Sequence, residues 1–193
     1  DLFSHTRYGS PWVNHSWLSQ IVLYLLFRAF SYAGLALWIA AVVTGTFVLV
    51  YLQMEGDVFS RAFILVLAAA TSAVIWSARP QLFSLLLTAV VAYVLYLFKW
   101  RRVNRLWLLL PIFILWVNLH AGYALGLMVL AGFAAGEVLN HLIEPLVPAD
   151  DPILSWRDIG WLVVAAALSA LVLVFNPNTT RMWTYYLETV QID

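Results

Sequence analysis

The stretch that decides the fold is AFILVLAAATSAVIWSARPQLFSLLLTAVVAYVLYLF, Ala62 to Phe98, in which Arg79 is the sole charged side chain. A bilayer core of about 30 Å is crossed by about 20 apolar residues in a helix, with about 17–25 the usual range. Ala62–Ala78 and Leu82–Phe98 each reach the short end of that range, and Arg79-Pro80-Gln81 divides them. Proline removes an amide donor and disfavours helix at the residue before it. The tripeptide therefore reads as a tight hairpin between two membrane spans.

Working outward, Ala33–Leu52 carries no charge and makes another span. Leu106–Asn140 is too long for one crossing, since at about 1.5 Å per residue it would exceed 50 Å. Its polar, glycine-containing interruption is Asn118-Leu119-His120-Ala121-Gly122. Cutting there gives spans Leu106–Val117 and Ala121–Asn140. Trp161–Phe175 is the last, shorter span. Trp17–Phe30 is apolar but contains Gln20 and Arg28, which suits an interfacial helix better than a crossing. The expected organisation is a loop with an interfacial helix over residues 1–32, a bundle over 33–176 and an outer-face segment over 177–193. The chain begins at Asp1 and ends in Glu188–Asp193, which reads as an excerpt of a longer protein.

Composition agrees. Of the 193 residues 64% are hydrophobic and 10% charged, against about 45–50% and about 25% in soluble domains. Mean hydropathy is +0.88. A soluble globular enzyme is excluded. Ten Lys and Arg balance ten Asp and Glu, so a nucleic-acid partner and a disordered chain are excluded as well. Cysteine is absent, which rules out disulfides, thiolate metal sites and a cysteine nucleophile. The apolar runs are unbroken, unlike the alternating segments of a membrane β-barrel. The fold class is all-α, a polytopic transmembrane bundle of about six spans plus an interfacial helix.

Lys99, Arg101, Arg102 and Arg105 crowd one short loop, which the positive-inside rule makes cytoplasmic. Alternation then puts Gln53–Arg61 and His141–Gly160 inside. It gathers Asp1–Gln20, Arg79-Pro80-Gln81, Asn118-Leu119-His120 and Asn176-Pro177-Asn178 with Arg181 on the outer face. A site built there from several loops follows, because ionisable groups at membrane depth are costly and are functional candidates by default.

Asp1 has the chemistry of a base or metal ligand, and His15 that of a proton shuttle or hydrogen-bond donor. The bland alternative is a headgroup-level loop anchored by Tyr8, Trp12 and Trp17. Arg79 either snorkels to the headgroups or directs its guanidinium fork at a phosphate. His120 is a hydrogen-bonded residue in a helix break or, alternatively, a pigment or haem ligand. Glu137 and His141 share a helix face but read as a solvated helix end, like the other charges on the cytoplasmic side. Gly122–Gly126 and Gly132–Gly136 suggest close packing of a central helix.

Asp1-Leu2-Phe3-Ser4, Gly9-Ser10-Pro11-Trp12 and His15-Ser16-Trp17-Leu18 resemble the first outer loop of bacterial glycosyltransferases with the GT-C fold. Members of the closest group show D-x-F-S-aromatic-T, G-x-P-W and H-E-W-L, followed by R-P-Q-L-F, W-x-N-x-H-G-G and N-P. Here the later motifs are Arg79-Pro80-Gln81-Leu82-Phe83, Trp116-Val117-Asn118-Leu119-His120-Ala121-Gly122 and Asn176-Pro177. Ser16 stands where the group has glutamate, and His5 where it has an aromatic residue. A further acidic motif, expected after a first span, does not occur in this sequence.

The resemblance implies inverting transfer of a sugar from a polyprenyl-phosphate donor at the outer leaflet of a bacterial cytoplasmic membrane. It gives Asp1 and His15 the catalytic role and lets Arg79, Gln81, Asn118 and His120 line the donor phosphate or sugar. A divalent cation held by the loop carboxylate is one option. The implied partners are membrane lipid and a lipid-linked sugar donor. The alternative is a non-catalytic GT-C-like subunit that packs among other membrane subunits; a pigment- or haem-binding subunit ranks behind it.

Overall fold

A computed structural model describes residues 14–146 and 151–190, with side chains to residue 185. The described residues form seven α-helices: α1 (Trp17–Tyr51), α2 (Val58–Ser72), α3 (Gln81–Lys99), α4 (Leu109–Leu119), α5 (Tyr123–Ile143), α6 (Trp156–Leu171) and α7 (Arg181–Val190). Short 3-10 turns extend α2 at Ala73–Ile75, precede α4 at Leu106–Leu108 and extend α6 at Val172–Phe175. Among the described residues, five helices, counted with their 3-10 extensions, are long and apolar enough to cross a membrane. The chain is a multi-pass α-helical membrane protein.

At 35 residues, α1 would be about 52 Å long if straight, but it is not straight. Ser31 has φ 54 and ψ −147, a region that costs a non-glycine residue about 1–3 kcal/mol. Just beyond, a Cβ on Gly34 would lie 2.7 Å from the carbonyl oxygen of Leu26 and 2.8 Å from Cβ of Phe30. The glycine lets the chain fold back closely after the break. Thus Trp17–Phe30 and the expected Ala33–Leu52 span are two segments divided at Ser31. Trp38 packs on Phe83, ring centroids 4.8 Å apart, so the second segment runs beside α3.

The hairpin at Arg79-Pro80-Gln81 is present, but α3 starts at Gln81 with Pro80 as its N-cap. Asp57 caps α2 by accepting from the amides of Phe59 and Ser60, and the helix begins four residues before the expected Ala62. Ser155 likewise caps α6 through the Asp158 amide, which starts it at Trp156 rather than Trp161. Capping side chains satisfy amides that have no partner within the helix, and hydropathy does not register them.

The cut at Asn118 is borne out: α4 ends at Leu119 and α5 starts at Tyr123. The expectation that α5 is central is not. The buried core centres on α3 and α4, with Leu109, Phe113, Trp116 and Val117 fully enclosed. Gly126 does permit close packing, since a Cβ there would meet Trp116 at 2.5 Å. Gly132 and Gly136 face open space, with nothing within 4 Å of an added Cβ, so the second small-residue pair has no packing partner among the described residues. No residue of α2 is buried. Apolar surface of this kind meets lipid rather than water.

The expectation of ordinary solvated charge at the Lys99 end also fails. Lys99 and Glu137 are 5% and 2% exposed and form an ion pair at 2.6 Å. The second carboxylate oxygen of Glu137 accepts the Leu154 amide at 3.0 Å. His141 Nε2 donates to the Leu154 carbonyl at 2.6 Å, and its ring stacks on Trp156 at 4.4 Å. Two charges on α3 and α5 therefore bind each other and the chain entering α6. Spacing along α5 shows that Glu137 and His141 share a face, but not that Lys99 lies opposite.

Candidate functional site

The Arg79 end of the bundle is built around the short α4. With its leading turn it spans Leu106–Leu119, roughly 21 Å, so its last carbonyls lie within the bundle and require internal partners. Asn118 Nδ2 donates to the carbonyls of Ile114 at 2.8 Å and Phe175 at 3.3 Å. Asn176 Nδ2 donates to the Val117 carbonyl at 2.8 Å and reaches the His15 carbonyl at 3.4 Å. Trp17 Nε1 donates to Asn118 Oδ1 at 2.8 Å, and Asn178 Nδ2 donates to the Asn14 carbonyl at 3.2 Å. These amides close helix ends and tie the segment before α1 across the end of α4 and the turn after α6.

A second group surrounds His120, an extended residue between α4 and α5. The Gly122 amide donates to His120 Nδ1 at 3.0 Å, which fixes Nδ1 as an acceptor and places the proton on Nε2. Ser84 Oγ, 2.8 Å from Nδ1, consequently donates to it while accepting from Trp116 Nε1 at 2.8 Å. Glycine is required at position 122, because a Cβ there would lie 2.1 Å from Ser84 Oγ. Burial, with His15 nearby, holds the His120 imidazole below its ordinary pKa. The His15 ring centroid is 6.5 Å from that of His120 and 4.5 Å from that of Tyr185.

Ser84 also borders an apolar cleft of about 530 Å³, within the usual range for ligand pockets. Its walls include Gln81, Ser84 and Thr88 of α3, Thr46 and Val50 of α1, and Leu125 of α5.

His15, Asn118 and His120 thus come together. Gln81 is one turn from Ser84 and lines the cleft. Arg79 precedes α3, exposed, and its side chain has no hydrogen-bond or ion-pair partner among the described residues. Asp1 lies outside the described residues. The cluster offers imidazole, hydroxyl, indole and amide groups, with no carboxylate among the described residues. Nor do three His, Cys, Asp or Glu side chains gather to hold a metal among them. The divalent cation is expected on the Asp1 carboxylate, which lies outside the described residues.

Ser84 has no place in the sequence reading, where Trp17 stands only as a headgroup anchor and Trp116 only within a motif, because serine in a span and tryptophan near its ends look ordinary. The spacing of Ser84 one helical turn beyond Gln81 was the available signal. Ser16, the residue in place of the group's glutamate, is buried with its hydroxyl unpaired among the described residues. No family model, curated protein or solved structure matches the chain.

Proposed function

We propose that the chain is a GT-C-like membrane glycosyltransferase component that takes a polyprenyl-phosphate sugar at the Arg79 end of the bundle. The observation carrying this reading is the junction at Ser84, where a polar cluster drawn from distant stretches meets an apolar cleft. A lipid-linked donor needs such a junction, with its chain in apolar surroundings and its phosphate beside hydrogen-bond donors. Arg79 and Gln81 hold the phosphate, and His15 with His120 faces the sugar. In the reaction the acceptor oxygen attacks the anomeric carbon with inversion as the bond to phosphate breaks. The acceptor proton passes to Asp1 or His15, and polyprenyl phosphate departs. The setting assigned is the outer leaflet of a bacterial cytoplasmic membrane.

A second reading, a non-catalytic subunit of a larger membrane complex, draws support from one observation. The amides of Asn118 and Asn176 are engaged in closing helix ends rather than directed into the cleft.

Arg79→Lys separates the readings. Lysine keeps the charge and the long stem but not the bidentate fork. If Arg79 holds phosphate, polyprenyl phosphate retained by the protein in nanodiscs falls at unchanged thermal stability. If Arg79 only snorkels, lysine substitutes at almost no cost. Unchanged retention removes the phosphate role and leaves the subunit reading.

A further inference from the structure

At the opposite end of the bundle lies a separate cleft of about 570 Å³ between the start of α4 and α6. Asn104, Trp107 and Leu110 form one wall, and Trp161, Ala165 and Leu168 the other. Trp107 and Trp161 are 63% and 52% exposed, two large indoles flanking the opening.

Neither arginine lines the cleft itself, but one adjoins each wall along the chain. Arg105 lies between Asn104 and the turn that carries Trp107. Arg157 precedes Trp161 by four residues in α6, and side chains at that spacing share a helix face. The stripe Arg157, Trp161, Ala165, Leu168 therefore runs along α6 from a cation into apolar lining. Both arginines are exposed, and among the described residues the sole ion pair is that of Lys99 with Glu137. Asp158, beside Arg157, is engaged by the Ser155 hydroxyl at 2.7 Å.

We propose that this cleft binds one anionic phospholipid, its phosphate between Arg105 and Arg157 and an acyl chain between Trp107 and Trp161. Uncompensated charge selects the sign of the head group. The guanidinium fork suits a phosphate, while tryptophan suits the boundary between head group and chain. Basic pockets between helices at a membrane surface recognise lipid head groups in this way. The inference rests on neither the Ser84 cluster nor the sugar-transfer reading.

The test is native mass spectrometry of the protein released from nanodiscs containing phosphatidylcholine and phosphatidylglycerol. The protein should retain one phosphatidylglycerol in preference to phosphatidylcholine. Arg105→Gln with Arg157→Gln should reduce that preference about 30-fold. Arg101→Gln with Arg102→Gln, on the same loop with Arg101 lying over the Tyr96 ring at 5.5 Å, should leave it intact. Trp161→Ala alters an exposed wall and should weaken retention at an unchanged thermal midpoint. Excess inorganic phosphate should not displace the lipid, because the chain contributes to binding. Equal retention of both lipids, retention unaffected by the double arginine substitution or by Trp161→Ala, equal loss in the Arg101/Arg102 variant, or displacement by phosphate would each overturn the proposal.

Discussion

The buried pair Lys99–Glu137 offers the sharpest energetic test of the fold. Removing one partner from a buried ion pair costs about 3–5 kcal/mol, chiefly because the remaining charge is stranded. Glu137→Gln retains a carbonyl that can accept the Leu154 amide, so its cost isolates the stranded ammonium of Lys99. Lys99→Met strands the carboxylate, which keeps the Leu154 amide as donor, so its cost should fall nearer the lower figure. In the double variant no charge remains, the amide still has an acceptor, and a loss of only about 1 kcal/mol is expected, since apolar replacement of a buried pair is often close to neutral. The coupling energy of the cycle should therefore reach several kcal/mol, beyond the range of most contacting pairs. Reversible unfolding in mixed detergent micelles, followed by helicity, supplies the free energies. Single variants within about 1 kcal/mol of the parent, or a double variant as damaged as the worse single, would refute the reasoning.

Glycines at two kinds of site should respond with opposite signs. Gly122→Ala forces a Cβ into Ser84 Oγ and should cost about 1–3 kcal/mol, whereas Gly132→Ala and Gly136→Ala meet open space and should be neutral or gain up to about 1 kcal/mol each; thermal midpoints measured together check both. His120 has a depressed folded-state pKa, so its contribution to stability is complete above the ordinary histidine value and is lost as pH falls through the folded value. Thermal stability should decline below about pH 6.5, and an equally steep decline in His120→Gln would remove the assignment. Because the chain contains no cysteine, Asn104→Cys gives an uncluttered label for orientation. Reaction from the cytoplasmic side alone is expected, and labelling from the outer side would reverse the topology.

Hydropathy and helix-breaking residues made the membrane helices legible, including the break between α4 and α5, and the polar Gln20 and Arg28 set Trp17–Phe30 apart from the span at Ala33, though the kink at Ser31 itself carried no signal. Helix starts were displaced because the signal lies in single capping residues, Asp57 and Ser155, outside the apolar runs. The buried charge pair was unreadable for a different reason. Lys99 and Glu137 are far apart in sequence, and a charge near the end of an apolar helix looks the same whether it meets water or a counter-charge. At the Arg79 end the sequence indicated which stretches to inspect, but the partners of Asn118 and His120 depend on where α4 stops relative to its neighbours. The amphipathic α7, within the expected outer-face segment, lacked an apolar run long enough to draw notice.

The shortness of α4 changes how variants at this end should be interpreted. Polar groups here serve two different needs. Asn118, Asn176 and Trp17 satisfy one another and the carbonyls at the end of a helix enclosed by protein. A buried carbonyl that loses its donor costs about 1–3 kcal/mol, so substitutions at the two asparagines would weaken the bundle itself. Gln81 and Ser84 instead face the open volume of the cleft. Arg79 stands free of partners among the described residues, and the half-buried His15 and His120 rings are near one another. Loss of function without loss of stability is therefore informative at Arg79 and Gln81. At Asn118 the same loss of function, unless separated from stability, reports on the helix end it closes.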